Sequence, residues 1–229
     1  PLRLVGSEMC IRDSNLREDN SIRVVVITGA GKGFTAGADL TESTSTWTST
    51  KDSLNRGFLP TFKNIIEMPK PVIGSINGPA AGIGAAIAMA CDLRIMSEDA
   101  YILSVFSNIA IVPDGGLSWL LTRYMGYTKA FEYAIEAKKI TADECINFGI
   151  ANKKVLLNDL ESETIAWAER LDKRSPQSLK NKKKIMRNAL EKTYLETYEE
   201  EAEIQNEIFG NEQNSCLLYT SPSPRDVEE

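Results

Sequence analysis

Two glycine-rich segments about forty residues apart carry the first chemical signal in this chain: Gly33-Phe-Thr-Ala-Gly-Ala-Asp-Leu40 and Ile76-Asn-Gly-Pro-Ala-Ala-Gly-Ile-Gly84. Each follows an apolar, strand-like run, Val24-Val-Val-Ile-Thr-Gly29 and Pro71-Val-Ile-Gly-Ser-Ile76. Each therefore leaves nearly bare backbone N–H groups where a strand ends. Two such donors aimed at one oxygen stabilise an oxyanion or enolate with no side chain involved. The 229 residues include no histidine. That removes a Ser-His-Asp triad, a histidine base and histidine metal ligands together. Proton transfer falls to carboxylates, lysines, tyrosines or cysteines, and no metal set is expected.

The glycines fit a phosphate loop poorly. Gly31-Lys32-Gly33 has no Ser or Thr after the lysine and no glycine at Val26, so the P-loop pattern fails. Gly82-Ile-Gly84 carries Ile87, and Gly29-Ala-Gly31 carries Phe34, where a dinucleotide fingerprint needs glycine or alanine. Close helix-to-strand packing would by itself account for Gly82 and Gly84. The second glycine turn, after a different strand, favours the anion-binding reading. A helix opening near Pro79 would add free N–H groups and a positive dipole end.

The elements that must position these groups are legible in outline. Residues 21–28 read as a buried strand, residues 40–53 as a mobile Ser/Thr-rich connection, and residues 54–68 as a helix stopped by Met68-Pro-Lys-Pro71. A strand at 72–76, a helix at about 80–90 and strands at 92–96 and 101–106 follow. Val112-Pro-Asp-Gly-Gly116 leads into a helix from Leu117 that ends at Gly126, and a further helix spans 129–136. Thr141-Ala-Asp-Glu144 has the capping-box pattern. Amphipathic helices are expected at 161–171, 177–190 and 194–209. The order is α/β: strand, strand, helix units followed by a helical extension.

Composition limits the partners. With 42% hydrophobic and 25% charged residues the chain is ordinary globular material, with length for one sizeable core. A net charge of −6 and an isoelectric point near 5.0 argue against nucleic acid. The longest apolar stretch, residues 82–91, is too short to span a bilayer, so no membrane span is expected. Residues 4–14 can be written in codons as nearly the reverse complement of residues 216–226. Such an inverted repeat reads as a sequencing-library adapter, so residues 1–14 and 216–229 are set aside as artefact. Cys91 and Cys145 then remain, both in apolar helical contexts, and read as buried thiols rather than a disulfide or metal site.

Phe34-Thr-Ala-Gly-Ala-Asp-Leu40, Lys70-Pro-Val-Ile-Gly-Ser-Ile-Asn-Gly-Pro-Ala-Ala-Gly-Ile-Gly84, Cys91-Asp-Leu-Arg-Ile and Val112-Pro-Asp-Gly-Gly116 resemble the enoyl-CoA hydratase/isomerase (crotonase) superfamily over nearly all of residues 15–215. The resemblance implies a crotonase (ClpP-like) spiral of ββα repeats at 15–155, lacking its first strand and helix. It implies a truncated C-terminal helical region at 156–215 that builds a homotrimer or dimer of trimers. It makes the backbone N–H groups of Ala38 and Ile83 the oxyanion donors to an acyl-CoA thioester. Ala36, Gly37, Ala38, Asp39, Leu40, Gly82 and Ile83 would line the substrate and coenzyme A path. Acyl-CoA is the substrate, and no separate cofactor is implied. The compartment is left open: intracellular, and peroxisomal or mitochondrial in a eukaryote.

Within the family, hydratases carry two glutamates, and the matching positions are Ala86 and Phe106, neither of which moves a proton. A dienoyl-CoA isomerase is disfavoured on the same ground. Asp114 matches the single acid of the 3-enoyl-CoA to 2-enoyl-CoA isomerases, where one carboxylate suffices; its place before Gly-Gly also reads as a helix N-cap, and the two roles can coexist. The expectation is an enoyl-CoA isomerase shifting a C3 double bond to C2. The alternatives are another crotonase-fold enzyme (hydratase, ring isomerase, hydrolase or dehalogenase) or an inactive thioester-binding homologue. Lys180 and Lys182 to Lys184 read as a solvated helix face rather than a coenzyme A contact, and Glu199 to Glu203 as an exposed acidic face.

Overall fold

The computed structural model describes residues 16–38 and 47–210. In chain order they form β1 (Val25–Thr28), α1 (Leu59–Glu67), β2 (Val72–Ile76), β3 (Ala80–Ala81), α2 (Ile83–Ala90), β4 (Leu93–Ser97) and β5 (Tyr101–Leu103). Then come α3 (Leu117–Ile135), β6 (Lys139–Thr141), α4 (Ala142–Asn147), β7 (Lys153–Val155), α5 (Leu160–Asp172), α6 (Pro176–Asn188) and α7 (Tyr194–Ile208). The chain falls into two compact units that meet at Asp172 and Lys173.

In the first unit the strands belong to two sheets, and β2 and β3, then β4 and β5, place one strand in each. The first sheet is parallel throughout, in the order β1-β2-β4-β7, with Val25 opposite Val72 and Ile73 opposite Leu93. The second runs β3-β5-β6 and is extended by an isolated bridge from Thr35 to Ala80. The two middle turns, β2-β3-α2 and β4-β5-α3, each contribute a strand to the first sheet, a shorter strand to the second, and a helix, whereas the last runs β6-α4-β7-α5. The middle turns are the repeating ββα arrangement that the sequence order implied.

Parallel strands need both faces covered, and β2 is buried at all five positions. One face packs on α5, where Ile73, Ile95 and Leu160 form a cluster closed by Trp167 and Leu171. There the hydroxyls of Ser75 and Thr164 meet at 2.9 Å. The main core holds α2, whose eight residues are all buried; its alanines and glycine let neighbouring backbones approach. Helix α1 contributes Thr61, Phe62 and Ile65 and stops at Met68-Pro69.

Three boundaries differ from the sequence reading. Ala80 and Ala81 are a strand rather than the first turn of a helix, because Ala81 N–H bonds to Thr35 O and Gly82 N–H to Leu103 O, each at 3.0 Å. The expected 101–106 strand ends at Leu103, and Val105–Ile109 forms a 3-10 turn closed by Ala110 in the left-handed region. The helices expected on either side of Gly126 run together as α3, broken there by a non-helical glycine (φ 72°, ψ 162°). The capping box at Thr141 and Glu144 is present, and Cys91 and Cys145 are buried thiols outside any disulfide. No helix among the described residues is long and apolar enough to cross a membrane.

In the second unit, α6 is capped by the Ser175 hydroxyl and α7 by a capping box at Thr193 and Glu196. Lys180, Lys182 and Lys184 are exposed. The acidic run on α7 is not uniformly exposed, which corrects the sequence reading. Glu200 is buried, accepting from Asn188 Nδ2 at 2.7 Å and Lys192 Nζ at 3.0 Å. Burial raises its pKa, but those hydrogen bonds outweigh it and hold the carboxyl below the usual range.

Candidate active site

The two glycine segments meet. Phe34 and Thr35 N–H both donate to Pro79 O, at 3.0 and 3.1 Å, and Thr35 O accepts from Ala81. Asn77, at the end of β2, ties the first loop down further. Its Oδ1 accepts from Gly29 N–H at 3.1 Å, while its Nδ2 donates to Gly31 O at 2.9 Å and more weakly to Gly33 O at 3.4 Å. At the crossing point the backbones nearly touch: a Cβ placed on Gly82 would lie 3.9 Å from the Gly37 Cα.

Two of these glycines cannot be replaced without strain. Gly82 holds φ 58° and ψ −134°, a region essentially closed to side chains, and so turns β3 directly into α2. Gly84, one residue into α2, faces Thr35, and a Cβ there would fall 2.1 Å from the Thr35 Cγ2. The close packing foreseen for these residues is therefore real, and it coexists with an open donor pair. Ile83 is the first residue of α2, and Ala38 follows the turn at Gly37, whose φ is 96°. Among the described residues neither the Ile83 nor the Ala38 N–H meets an acceptor. An unpaired N–H at a helix N-terminus beside a second unpaired N–H is a ready site for a negative oxygen.

Asp114 is brought to the same helix. Gly115 packs so closely that a Cβ there would sit 2.9 Å from the Ala86 Cβ and 2.7 Å from the Phe62 Cζ. Ile83 and Ala86 share one face of α2, three residues apart. The Asp114 turn is therefore about one helical turn, roughly 5 Å, along α2 from Ile83. Its Oδ1 is buried and has no hydrogen-bond partner among the described residues. Burial pushes the carboxyl above its ordinary range, and a hydrogen bond from its own amide only partly opposes this. The N-cap of α3 is Gly116, with no side-chain cap; Asp114 supplies only its backbone carbonyl, to Leu117 N–H at 3.0 Å. The capping alternative for the Asp114 carboxyl is thus excluded by geometry. Ala86 and Phe106 are both buried and present no acid to this region.

Of the other residues expected here, Ala36, Gly37 and Ala38 form the first turn and Gly82 and Ile83 the second, all at the crossing. Asp39 and Leu40 lie outside the described residues. Thr35 and Asn77 were not foreseen as parts of the site. The signal for Asn77 was its place between a strand and Gly-Pro, where an Asn side chain commonly bonds nearby backbone. Among the described residues no cluster of three or more His, Cys, Asp or Glu is arranged to hold a metal ion. The arrangement can remove and return a proton beside a carbonyl whose oxygen is held by backbone donors.

The enoyl-CoA hydratase/isomerase family model matches residues 5–220. A probable enoyl-CoA hydratase of Rhodobacter capsulatus is 33% identical over 155 residues, 68% of this chain and 60% of that protein. The 1,2-epoxyphenylacetyl-CoA isomerase of Escherichia coli is 34% identical over 139 residues, 59% of this chain and 53% of that one. The chain thus matches less than two thirds of the length of either relative. Among solved structures, an enoyl-CoA hydratase from Bacillus anthracis superposes with a TM-score of 0.85 at 27% identity, covering 93% of this chain and 83% of that one. With the converging glycine turns and a family match over most of its length, the chain belongs to the enoyl-CoA hydratase/isomerase family and has the crotonase fold.

Proposed function

We propose that this chain is an enoyl-CoA isomerase that moves a double bond from C3 to C2 of a fatty acyl-CoA thioester. The observation that carries the reading is Asp114: one half-buried carboxyl beside α2 that caps no helix and whose Oδ1 is buried, with alanine and phenylalanine at the two positions where hydratases carry acids. In this reading the Asp114 carboxylate removes a proton from C2. The electron pair moves into the thioester, whose oxygen becomes an enolate held by the Ala38 and Ile83 N–H groups. The dienolate takes the proton back at C4, the C3–C4 double bond becomes C2–C3, and Asp114 is again ionised. No water is added, so a second acid to activate it is unnecessary. A carboxyl held above its usual range by burial is a stronger base than an exposed one. The isomerase named among the relatives is consistent with this assignment, though that protein's name specifies another substrate.

Conversion of 3-hexenoyl-CoA to 2-hexenoyl-CoA tests the proposal. Asp114→Asn should lower kcat by about a hundredfold or more, the usual contribution of general acid–base transfer. Full activity in that variant would sink the assignment. Hydration of crotonyl-CoA at a rate comparable to isomerisation would instead assign the chain to the hydratases.

A further inference from the structure

We propose that Thr35 is the positioning residue that aims the Ala38 N–H, by using its side chain to remove the competing Gly37 N–H from the site. This rests on the thioester reading above and adds the element that makes the donor pair selective. The first glycine turn contains two successive N–H groups near the crossing, those of Gly37 and Ala38. The Gly37 N–H donates to Thr35 Oγ1 at 3.2 Å, while the Ala38 N–H has no acceptor among the described residues. The side chain thus sorts the two donors, leaving one satisfied and one open.

Thr35 is itself fixed from three sides. Its N–H donates to Pro79 O and its carbonyl accepts from Ala81 N–H, the two bonds that make its bridge to Ala80. Its methyl lies where any Cβ on Gly84 would collide, 2.1 Å away. The hydroxyl therefore has a defined direction, referenced to the start of α2, and hands that direction to the Gly37 peptide. The Gly37 backbone, at φ 96°, then turns so that the next N–H leaves on another side. Without the hydroxyl the Gly37 N–H is unpaired and the 37–38 peptide loses its reference, so the Ala38 donor is no longer preorganised. Preorganised donors act because they need no reorganisation as charge develops on the oxygen.

Two substitutions separate the hydroxyl from the packing. Thr35→Val keeps the branched shape and loses the acceptor; Thr35→Ser keeps the acceptor and loses the methyl against Gly84. The readout is binding of cinnamoyl-CoA, whose absorption moves to longer wavelength when its carbonyl is polarised and which needs no turnover. Wild type and Thr35→Ser should show the shift, and Thr35→Val should lose most of it. On a substrate that turns over, Thr35→Val should lose about tenfold or more in kcat with KM within about twofold of wild type. A packing role alone predicts the reverse, with Thr35→Val like wild type and Thr35→Ser impaired, and that result would overturn the proposal. If Thr35→Val does not fold by circular dichroism, Thr35→Ala replaces it, and an undiminished shift there overturns the proposal equally. A shift in wild type that Thr35→Val retains overturns the Thr35 role alone. No shift on wild-type binding overturns the thioester reading, and the Thr35 role with it.

Discussion

At the scale of single residues, Asp114 has been left with an unsatisfied buried oxygen, and that has a stability consequence separate from catalysis. Its folded pKa lies above the ordinary value of 3.8 because burial disfavours the anion. A carboxyl shifted upward binds its proton more tightly in the folded state. Stability on its account is greatest below the ordinary aspartate value and falls as pH rises through that value to the folded one. Asp114→Asn should therefore melt above wild type at neutral pH, and the two melting curves should converge as pH is lowered towards the ordinary aspartate range. A variant that melts below wild type at neutral pH would show that the carboxylate is stabilised by something other than its own amide. Asp114 was legible through the family resemblance and the lack of acids at Ala86 and Phe106, whereas its place before two glycines pointed to a helix cap that its carboxyl does not make. Thr35 was not legible, because its role depends on Gly37 and Gly84 arriving from two different turns, and no pattern within one segment records that.

At the scale of elements, local signals succeeded where a structure is closed by its own neighbours and failed where it is closed by distant ones. The box at the start of α4 is local: Thr141 Oγ1 accepts from Glu144 N–H at 3.3 Å, and Glu144 Oε2 accepts from Thr141 N–H at 2.9 Å. The structure adds what the four-residue pattern did not contain. Glu144 also accepts from the hydroxyl of Tyr133, anchoring α4 to α3. That bond, with the two from Thr141, outweighs burial and holds Glu144 below 4.5, while the same contact pushes Tyr133 up to about 12. Glu144→Ala should cost about 1 to 2 kcal/mol at neutral pH, for a lost cap and an orphaned hydroxyl. A depressed carboxylate stabilises above its unfolded pKa and loses that contribution as pH falls through the folded one. The gap between variant and wild type in urea unfolding should accordingly narrow in acid. By contrast, Ala80 and Ala81 suit a helix as well as a strand, and only their partners at Thr35 and Leu103 decide between them. The strand end expected at Phe106 failed for the same reason: the strand lasts only as long as β3 and β6 are there to pair with it.

At the scale of the first unit, the spiral must be joined between turns as well as within them, and Arg94 makes that join. It is 3% exposed, on β4, and its guanidinium hydrogen bonds among the described residues go to carbonyls and a hydroxyl rather than to a carboxylate. Its guanidinium instead donates to carbonyls at the end of α2, Met89 at 3.0 Å and Cys91, to Ile150 O in the turn before β7, and to Tyr124 Oη on α3 at 2.7 Å. It also lies 5.3 Å from the Tyr124 ring centroid. One planar fork thus satisfies two carbonyls at the end of α2 and one in the loop before β7, and reaches a hydroxyl on α3. A neutral side chain could fill the same volume but would leave those carbonyls unsatisfied, and a lysine offers a single point of donation instead of a fork. Hydrogen bonds to a charged group contribute about 1.5 to 3 kcal/mol each, with strong overlap when one group makes several. Arg94→Met and Arg94→Lys should therefore both destabilise by about 2 to 4 kcal/mol, read as a lower urea midpoint at unchanged slope. If Arg94→Met were as stable as wild type, apolar packing alone would suffice at this junction, and the carbonyls around it would have to find other donors.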